Sequence, residues 1–180
     1  MYTINNPQLF CIEVDNAAWS AANWLNIDPQ TVFNEVACYT RILSKVFLQG
    51  PYDANSGFMT DELRVNGLIP TTSPYADGLT VNPSVFTVSG NNAIVDWVWL
   101  ELRDKSDDTN VLASRSALLQ ADGDIVEVDG VYPVNIPIAE DDYYVVLSHR
   151  NHLGVQTLNT VSLRSGNLDL DLKTDSNMVV

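Results

Sequence analysis

The sequence predicts a mainly β fold, an antiparallel β-sandwich that is immunoglobulin-like in its general architecture. From residue 42 onward apolar and polar residues alternate over short runs, which is the period of a half-buried strand. Gly, Pro, Asn and Asp separate these runs, and no long helical pattern lies between them. Regularly spaced short strands without intervening helices are typical of a sandwich. The predicted strands cover 42–48, 85–88, 93–103, 111–120, 125–128, 143–149, 155–163 and 168–172.

One helical insertion is predicted at 60–67, where Thr60 can cap the first turn and Gly67 suits the exit. The insertion lies inside a connection that spans 50–82, which is unusually long for a compact domain. Such long loops are either functional or flexible, and the sequence leaves both alternatives open. The run Asp-Gly-Asp at 122–124 predicts a hairpin turn, because Asp-Gly accepts the positive φ angles that these turns require.

Apolar residues near the start of the chain follow a repeat pattern. Leu9, Ile12 and Val14 occupy the first three apolar positions of L-x-x-L-x-L-x-x-N, and Ala17 stands at the Asn position, so this stretch resembles a fragment of a leucine-rich repeat. A single repeat cannot bury its own apolar face, because neighbouring coils cover it. Residues 1–38 are therefore expected to be a terminal cap.

Within this cap, residues 16–24 contain helix formers behind a polar capping residue, so a short helix is predicted there. Trp19 and Trp24 are expected to cover the open end of the repeat. The change to strand-like alternation places the domain boundary after Cys38, giving a cap at 1–38 and a sandwich at 39–180.

The N-terminal motifs occur together in one stretch. They are Asn6-Pro7-x-Leu9-x-Cys11-Ile12-x-Val14-Asp15, Trp19-Ser20-x-x-Asn23-Trp24, Ile27-Asp28 and Cys38. This combination resembles the C-terminal closure of leucine-rich-repeat proteins secreted by Bacteroidetes-type bacteria. The resemblance implies that the chain belongs to a larger exported protein, with an export signal outside residues 1–180.

The remainder of the chain carries a second group of motifs. They are Val46-Phe47-Leu48-Gln49-Gly50-Pro51-Tyr52-Asp53, Met59-Thr60-Asp61-x-Leu63-Arg64, Gly67-Leu68-Ile69-Pro70, Ala93-Ile94-Val95-Asp96-Trp97-Val98 and His149-Arg150-Asn151-His152-Leu153-Gly154-Val155. They resemble a module near the C-terminal end of large surface proteins of the same bacteria, which often carry the name haemagglutinin or adhesin. The resemblance implies an extracellular or cell-surface location and carries over no catalytic residues.

The charge balance narrows the classes of partner. Nine basic side chains against 23 acidic ones give a formal charge of −14, which repels phosphate backbones and anionic lipid headgroups. Nucleic acid is therefore not an expected partner. The resemblance to surface proteins implies a protein or glycan at the cell surface as the partner. No apolar run approaches the ~18 residues that cross a bilayer, so membrane insertion is not expected either.

Cys11 and Cys38 are the two cysteines of the chain, and both lie in the predicted cap. In an oxidising compartment they can form a disulfide that stabilises the fold by roughly 3–4 kcal/mol. The other interpretation is a pair of buried reduced thiols, since cysteine is also a common small core residue. An extracellular location follows only if the two cysteines form the disulfide.

Catalytic motifs are sparse. The sequence contains no G-x-S-x-G elbow, no glycine-rich phosphate loop and no H-E-x-x-H. His149 and His152 form the one histidine pair, at the end of a predicted strand and in the turn after it. A metal there needs further ligands that the sequence does not show, so a turn that satisfies its own hydrogen bonds is the preferred interpretation.

A calcium site is a second candidate. Asp53, Asn55 and Asp61 place oxygen ligands at spacings found in calcium loops, but Arg64 stands where an EF-hand has its bidentate Glu. Calcium bound by these three residues is an alternative to solvated loop carboxylates.

Two tryptophans provide the candidate binding surface. Trp97 and Trp99 are two residues apart in a predicted strand and so lie on one face, beside Glu101 and Arg103. Exposed, they would form a platform for a glycan; buried, they would be core residues, which is the commoner role of large rings. The opposite face is predicted to hold Ile94, Val98, Leu100 and Leu102.

Together these observations predict a noncatalytic accessory or adhesive module of a larger secreted or cell-surface protein. A glycan-binding domain that uses Trp97 and Trp99 is the alternative among binding proteins. A hydrolase on a β scaffold is the alternative from another class, and it would require convergent carboxylates or a base-linked hydroxyl in a pocket.

Overall fold

The computed structural model describes residues 2–6, 9, 11–29, 31–35, 40–138, 140–163 and 167–173. Strands make up 45% of the structure and helices 12%, which confirms the predicted mainly β class. No helix among these residues is long and apolar enough to cross a membrane.

Strands outnumber helices among the described residues, and the helices are short. In chain order the elements are β1 Tyr2–Thr3, β2 Cys11–Glu13, α1 Ala17–Asn23, β3 Asn26–Ile27, β4 Val32–Asn34, β5 Thr40–Lys45, β6 Tyr52–Asp53, β7 Phe58–Met59, α2 Glu62–Val65, 3₁₀ helices Pro83–Thr87 and Gly90–Asn92, β8 Ile94–Asp104, β9 Asp107–Gln120, β10 Asp124–Val126, β11 Val134–Ile136, β12 Asp142–His149, β13 His152–Gln156, β14 Val161–Ser162 and β15 Asn167–Asp171.

One large sheet dominates the molecule, and the long strands β9, β8 and β12 lie at its centre. On one side of the centre, β12 pairs with β13 and β14. On the other side, β9 pairs with β10, and β10 pairs with β5. β11 pairs with the first half of β5, and β10 with its second half. All of these pairs are antiparallel, and only β15 joins β5 in parallel. The predicted antiparallel pairing is thus confirmed.

The turn between β9 and β10 forms where the Asp-Gly-Asp run predicted it. Gly123 has φ of +95°, and a Cβ atom there would lie 2.9 Å from the carbonyl oxygen of Val46. The carboxylate of Asp122 accepts a hydrogen bond from the amide of Asp124. Glycine is therefore required at this turn by both its backbone angle and the close approach of the segment that follows β5.

One face of the sheet closes over a single apolar core. Ile42 of β5 and Leu170 of β15 join Leu100, Leu119 and Leu147 from the central strands in the same buried cluster. Strands far apart in the sheet can share a core only if the sheet curls, and each fully buried side chain of this size contributes about 1.5–3 kcal/mol. This curvature is consistent with a sandwich-like fold. The sandwich itself and its immunoglobulin-like general architecture stay predictions.

The other face is covered by the long connection that the sequence left open. Ile69, Val81 and Val85 pack against Ile94 and Trp97 in a second buried cluster. This part of the connection is therefore a structural cover. The prediction that Ile94 faces away from Trp97 was wrong, because a register shift between Ile94 and Asp96 turns Ile94 to this face.

Three further local predictions need correction. The predicted strand at 85–88 is part of a 3₁₀ helix, because Asn82 caps its first turn and Pro83 stands at the start. The predicted helix at 60–67 is limited to α2 and begins after Asp61 instead of Thr60, although Gly67 has the expected positive φ of +65°. The predicted strand at 155–163 is divided between β13 and β14, and β11 was not predicted.

The N-terminal segment has two short parallel pairings, β1 with β3 and β2 with β4. The predicted helix is confirmed as α1, and Asn16 caps it by accepting a hydrogen bond from the amide of Trp19. Trp19 is 56% exposed, and its ring meets that of Trp24 edge to face at 6.4 Å. The leucine-rich-repeat cap and the boundary after Cys38 stay predictions, since 36–39 lie outside the described residues.

Candidate functional site

Four polar side chains form what we call the histidine cluster: Asp96, His149, Arg150 and His152. Asp96 lies at the register shift of β8 and is 1% exposed. Its carboxylate lies 3.1 Å from Nε2 of His149 and accepts two hydrogen bonds from Nη2 of Arg150, at 2.8 and 3.0 Å. It also accepts a hydrogen bond from the amide of Trp97. The buried carboxylate is therefore fully occupied by donors of the chain itself.

The histidines continue this network toward the long connection. Nδ1 of His152 lies 2.9 Å from Nδ1 of His149, and Nε2 of His152 accepts from the amide of Gly50 at 3.4 Å. Since Nε2 of His152 accepts, its proton is on Nδ1 and is donated to His149. Nδ1 of His149 then accepts, and its Nε2–H donates to Asp96. One set of neutral tautomers thus satisfies every contact in the chain from Gly50 to Asp96.

The charges of this cluster follow from burial and hydrogen bonding. Burial opposes ionisation of Asp96, but the hydrogen bonds from His149, the Trp97 amide and Arg150 outweigh it and lower the pKa of the carboxyl below 3.8. Burial and the neighbouring imidazole of His149 lower the pKa of His152 below 6.5, against an opposing effect of Asp96. An ionised Asp96 beside a neutral His152 is therefore the form at neutral pH.

A cavity of about 240 Å³ adjoins the cluster and is lined by Gly50, Glu62, His149 and His152 among others. Within the described ranges, neither imidazole hydrogen-bonds to a serine, threonine or cysteine side chain, and no group of three metal-ligating residues is assembled. The cluster can hold a proton at a defined atom. It does not present an activated nucleophile.

The four residues predicted to bind a ligand are not one exposed surface. Trp97 has no exposed area, and its indole N–H donates to the carbonyl of Pro70 at 2.8 Å. The glycan platform with both tryptophans is therefore wrong for Trp97, which is a core residue. Trp99 is partly buried, and its indole N–H donates to Glu101 at 3.0 Å. Glu101 in turn forms an ion pair with Arg103 at 2.6 Å. Three of the four residues are therefore linked by side-chain contacts along β8.

Two of the three predicted calcium ligands contact each other. The carboxylate of Asp53 accepts hydrogen bonds from the amide and the side chain of Asn55, within the β6–β7 hairpin. Asp61 forms an ion pair with Arg64 at 2.5 Å. Calcium binding by these three residues stays a prediction.

Cys11 is bound in a disulfide. Its predicted partner Cys38 lies outside the described residues, and the pairing of the two stays a prediction.

No sequence motif indicated a second region, which we call the β9–β11 cleft. It is a cavity of about 650 Å³ between the first half of β9 and β11, lined by Asp77, Leu112, Ser114, Arg115, Ile138 and Tyr143 among others. β10 reaches β9 only at Leu118 and Leu119, so no described strand pairs with this side of β9 before Leu118. The cleft lies where no strand of the described residues pairs with this side of β9.

The side chain of Arg115 connects the two walls of the cleft. Arg115 donates to the carbonyl of Asn135 in β11 at 2.5 Å and to Glu127 at 2.8 Å. Glu127 accepts from the amide of Asn135 at 2.7 Å. These bonds use the backbone groups that a neighbouring strand would use, and they span the gap at the inner end of the cleft.

Comparison with known proteins adds no assignment. No family model, curated protein or solved structure matches the chain.

Proposed function

We propose that this chain is a noncatalytic accessory or adhesive module of a larger secreted or cell-surface bacterial protein, and that it binds its partner in the β9–β11 cleft. The observation that carries the proposal is the cleft. Its volume of about 650 Å³ is in the range of binding sites. Leu112 is 47% exposed at its wall, next to the polar side chains of Ser114 and Asp77. An open apolar wall with a few polar groups is suited to recognition.

The histidine cluster supports the noncatalytic part of the proposal. A hydrolase needs a base that faces a nucleophile or water and a partner that orients the base. Asp96 orients His149, but the other nitrogen of His149 is occupied by His152 and by the amide of Asn151. The polar groups of the network therefore bond to each other, and these contacts join β8, β12 and the long connection.

The test is binding of the purified chain to immobilised collagen, fibronectin, mucin and a glycan array, followed by surface plasmon resonance. The informative variant is Leu112→Asp, and Leu153→Asp is its matched control. Leu153 is 95% exposed on β13 and is not part of the cleft lining. We expect the chain to bind one of these ligands tightly. Leu112→Asp should lower the affinity for that ligand about tenfold, equivalent to about 1.4 kcal/mol, and Leu153→Asp should leave it unchanged.

Equal losses in the two variants would mean that binding lies outside the cleft. Hydrolysis of a glycan or peptide panel, abolished by His149→Ala or Asp96→Asn, would overturn the noncatalytic assignment.

A further inference from the structure

Within the described part of the chain, the outward edge of β9 can accept another strand at Ser114. The amide of Ser116 points away from β8, because it donates to the carboxylate of Asp77 at 2.7 Å. Backbone groups repeat their direction every second residue in a strand, and Ser114 and Ser116 both face β8 residues in the same type of pair. The N–H and C=O of Ser114 therefore also point away from β8, toward the cleft, and Ser114 is exposed.

The surroundings limit how far this edge can extend. Asp77 occupies the amide of Ser116 on one side. A register shift between Leu102 and Arg103 leaves Leu112 as an extra residue on the other side. A strand added here would thus form its central hydrogen bonds with Ser114 and place apolar side chains against Leu112 and Ile138, which line the same cleft.

The charge at the cleft is negative. Asp77 is part of its wall, and burial together with the charges of Asp141 and Asp104 raises the pKa of the cleft residue Tyr143 to about 12. Of these acidic residues, Asp141 is paired with Lys105. In the part of the chain that the structure describes, neither Asp77 nor Asp104 has an ion-pair partner. The one basic residue of the lining, Arg115, is neutralised by Glu127 at 2.8 Å. A cationic segment is the complementary occupant.

We propose that the β9–β11 cleft binds an extended peptide segment of a partner protein, with alternating apolar and basic residues, as a strand added to β9 at Ser114. This inference rests on the proposed function and specifies its ligand. Main-chain hydrogen bonds to Ser114 provide part of the affinity, and the acidic rim selects basic side chains. A second copy of this chain is a poorer occupant, because its formal charge is also −14.

The probe is a fluorescein-labelled octapeptide of alternating valine and lysine, capped at both ends, titrated with the full chain by fluorescence polarisation. Two matched peptides accompany it: one with glutamate in place of lysine, and one with N-methyl groups on alternate backbone amides.

Two variants of the protein complete the experiment. Ser114→Pro removes the outward amide, and Asp77→Asn removes the rim charge. We expect the valine–lysine peptide to bind, the glutamate peptide not to bind, and the N-methyl peptide and Ser114→Pro each to weaken binding about tenfold. Asp77→Asn should weaken binding less and reduce its salt dependence.

Equal binding of the methylated and unmethylated peptides would overturn strand addition. This comparison holds even if Ser114→Pro impairs folding, because it changes the peptide and leaves the protein unchanged. Failure of every peptide, while the chain still binds a surface protein or glycan in a Leu112-dependent way, would overturn this inference and leave the proposed function standing. Failure of both assays would overturn both. A dimer in sedimentation that Ser114→Pro dissociates would make a second copy the occupant and overturn the proposed one.

Discussion

The histidine cluster and the β9–β11 cleft lie on the same sheet, and they use their polar groups in opposite ways. In the cluster, the carboxylate of Asp96 and the ring nitrogens of His149 are matched by partners from three elements. In the cleft, the backbone of Ser114 faces an open volume. The polar groups of the cluster therefore already have partners within the chain, and the edge of β9 at Ser114 is the better candidate for recognition. Availability of a group matters more than its reactivity.

The largest expected difference between the two regions is in stability after loss of a carboxylate. Asp96→Ala should reduce the free energy of unfolding by about 3 kcal/mol, because it leaves Arg150 and the buried His149 without their acceptor. Asp77→Ala, in the cleft, should cost about 1 kcal/mol, since exposed Asp77 loses its bonds to Ser116 and a long hydrogen bond from the amide of Leu79, at 3.4 Å. Urea denaturation of both variants measures the difference. Equal losses would show that the cluster is no more structural than the cleft wall.

A smaller effect is expected at the inner end of the cleft. Arg115→Met keeps most of the side-chain volume but leaves Glu127 and the carbonyl of Asn135 without their donor. We expect a loss of about 1–2 kcal/mol in the free energy of unfolding. Lys105→Met is the matched control, because its ion pair with Asp141 is largely exposed and should contribute less than about 1 kcal/mol. A more stable Arg115→Met variant would mean that the bonds of Arg115 across the gap do not stabilise the fold.

The pH dependence of stability should separate the two histidine-cluster groups. The folded pKa of His152 is below 6.5, so the unfolded chain takes up its proton first, and stability should fall as pH drops below about 6.5 until the folded pKa is passed. The folded pKa of Asp96 is below 3.8, so its contribution is present above that value and is lost as the pH falls further. Thermal melts from pH 3 to pH 8 should show both steps. His152→Gln should remove the step below pH 6.5 and keep the acid one; an unchanged profile would contradict this assignment.

The smallest effect on stability is expected where the effect on binding is large. Leu112→Asp changes a side chain that is already 47% exposed, so the free energy of unfolding should change by less than about 0.5 kcal/mol. Leu119→Asp, further along β9, should prevent folding or cost several kcal/mol, because Leu119 has no exposed area. Chemical denaturation of the two variants checks the contrast. A large loss for Leu112→Asp would mean that the cleft wall belongs to the core.

Much of the fold could be predicted because it depends on short-range pattern. The alternation in 93–103 and 111–120 indicates strands whatever their partners, and the turn around Gly123 needs a backbone angle that glycine adopts readily. Predictions that relied on alternation alone failed where a cap or a bulge intervened. Asn82 and Pro83 start a 3₁₀ helix inside a predicted strand, and the irregularity before Asp96 reverses the face of Ile94.

The candidate site was not predictable in the same way. Asp96 and His149 are 53 positions apart in the chain, and no local spacing indicates that they meet. The cleft depends on where β10 stops pairing with β9, which is decided by the registers of four strands together, β5, β9, β10 and β11. Alternation and turn chemistry are local, so the amino-acid order alone decides strand class, turn positions and net charge. Which polar groups find partners and which edge stays open depends on long-range pairing, because only the folded sheet brings distant side chains within hydrogen-bond distance.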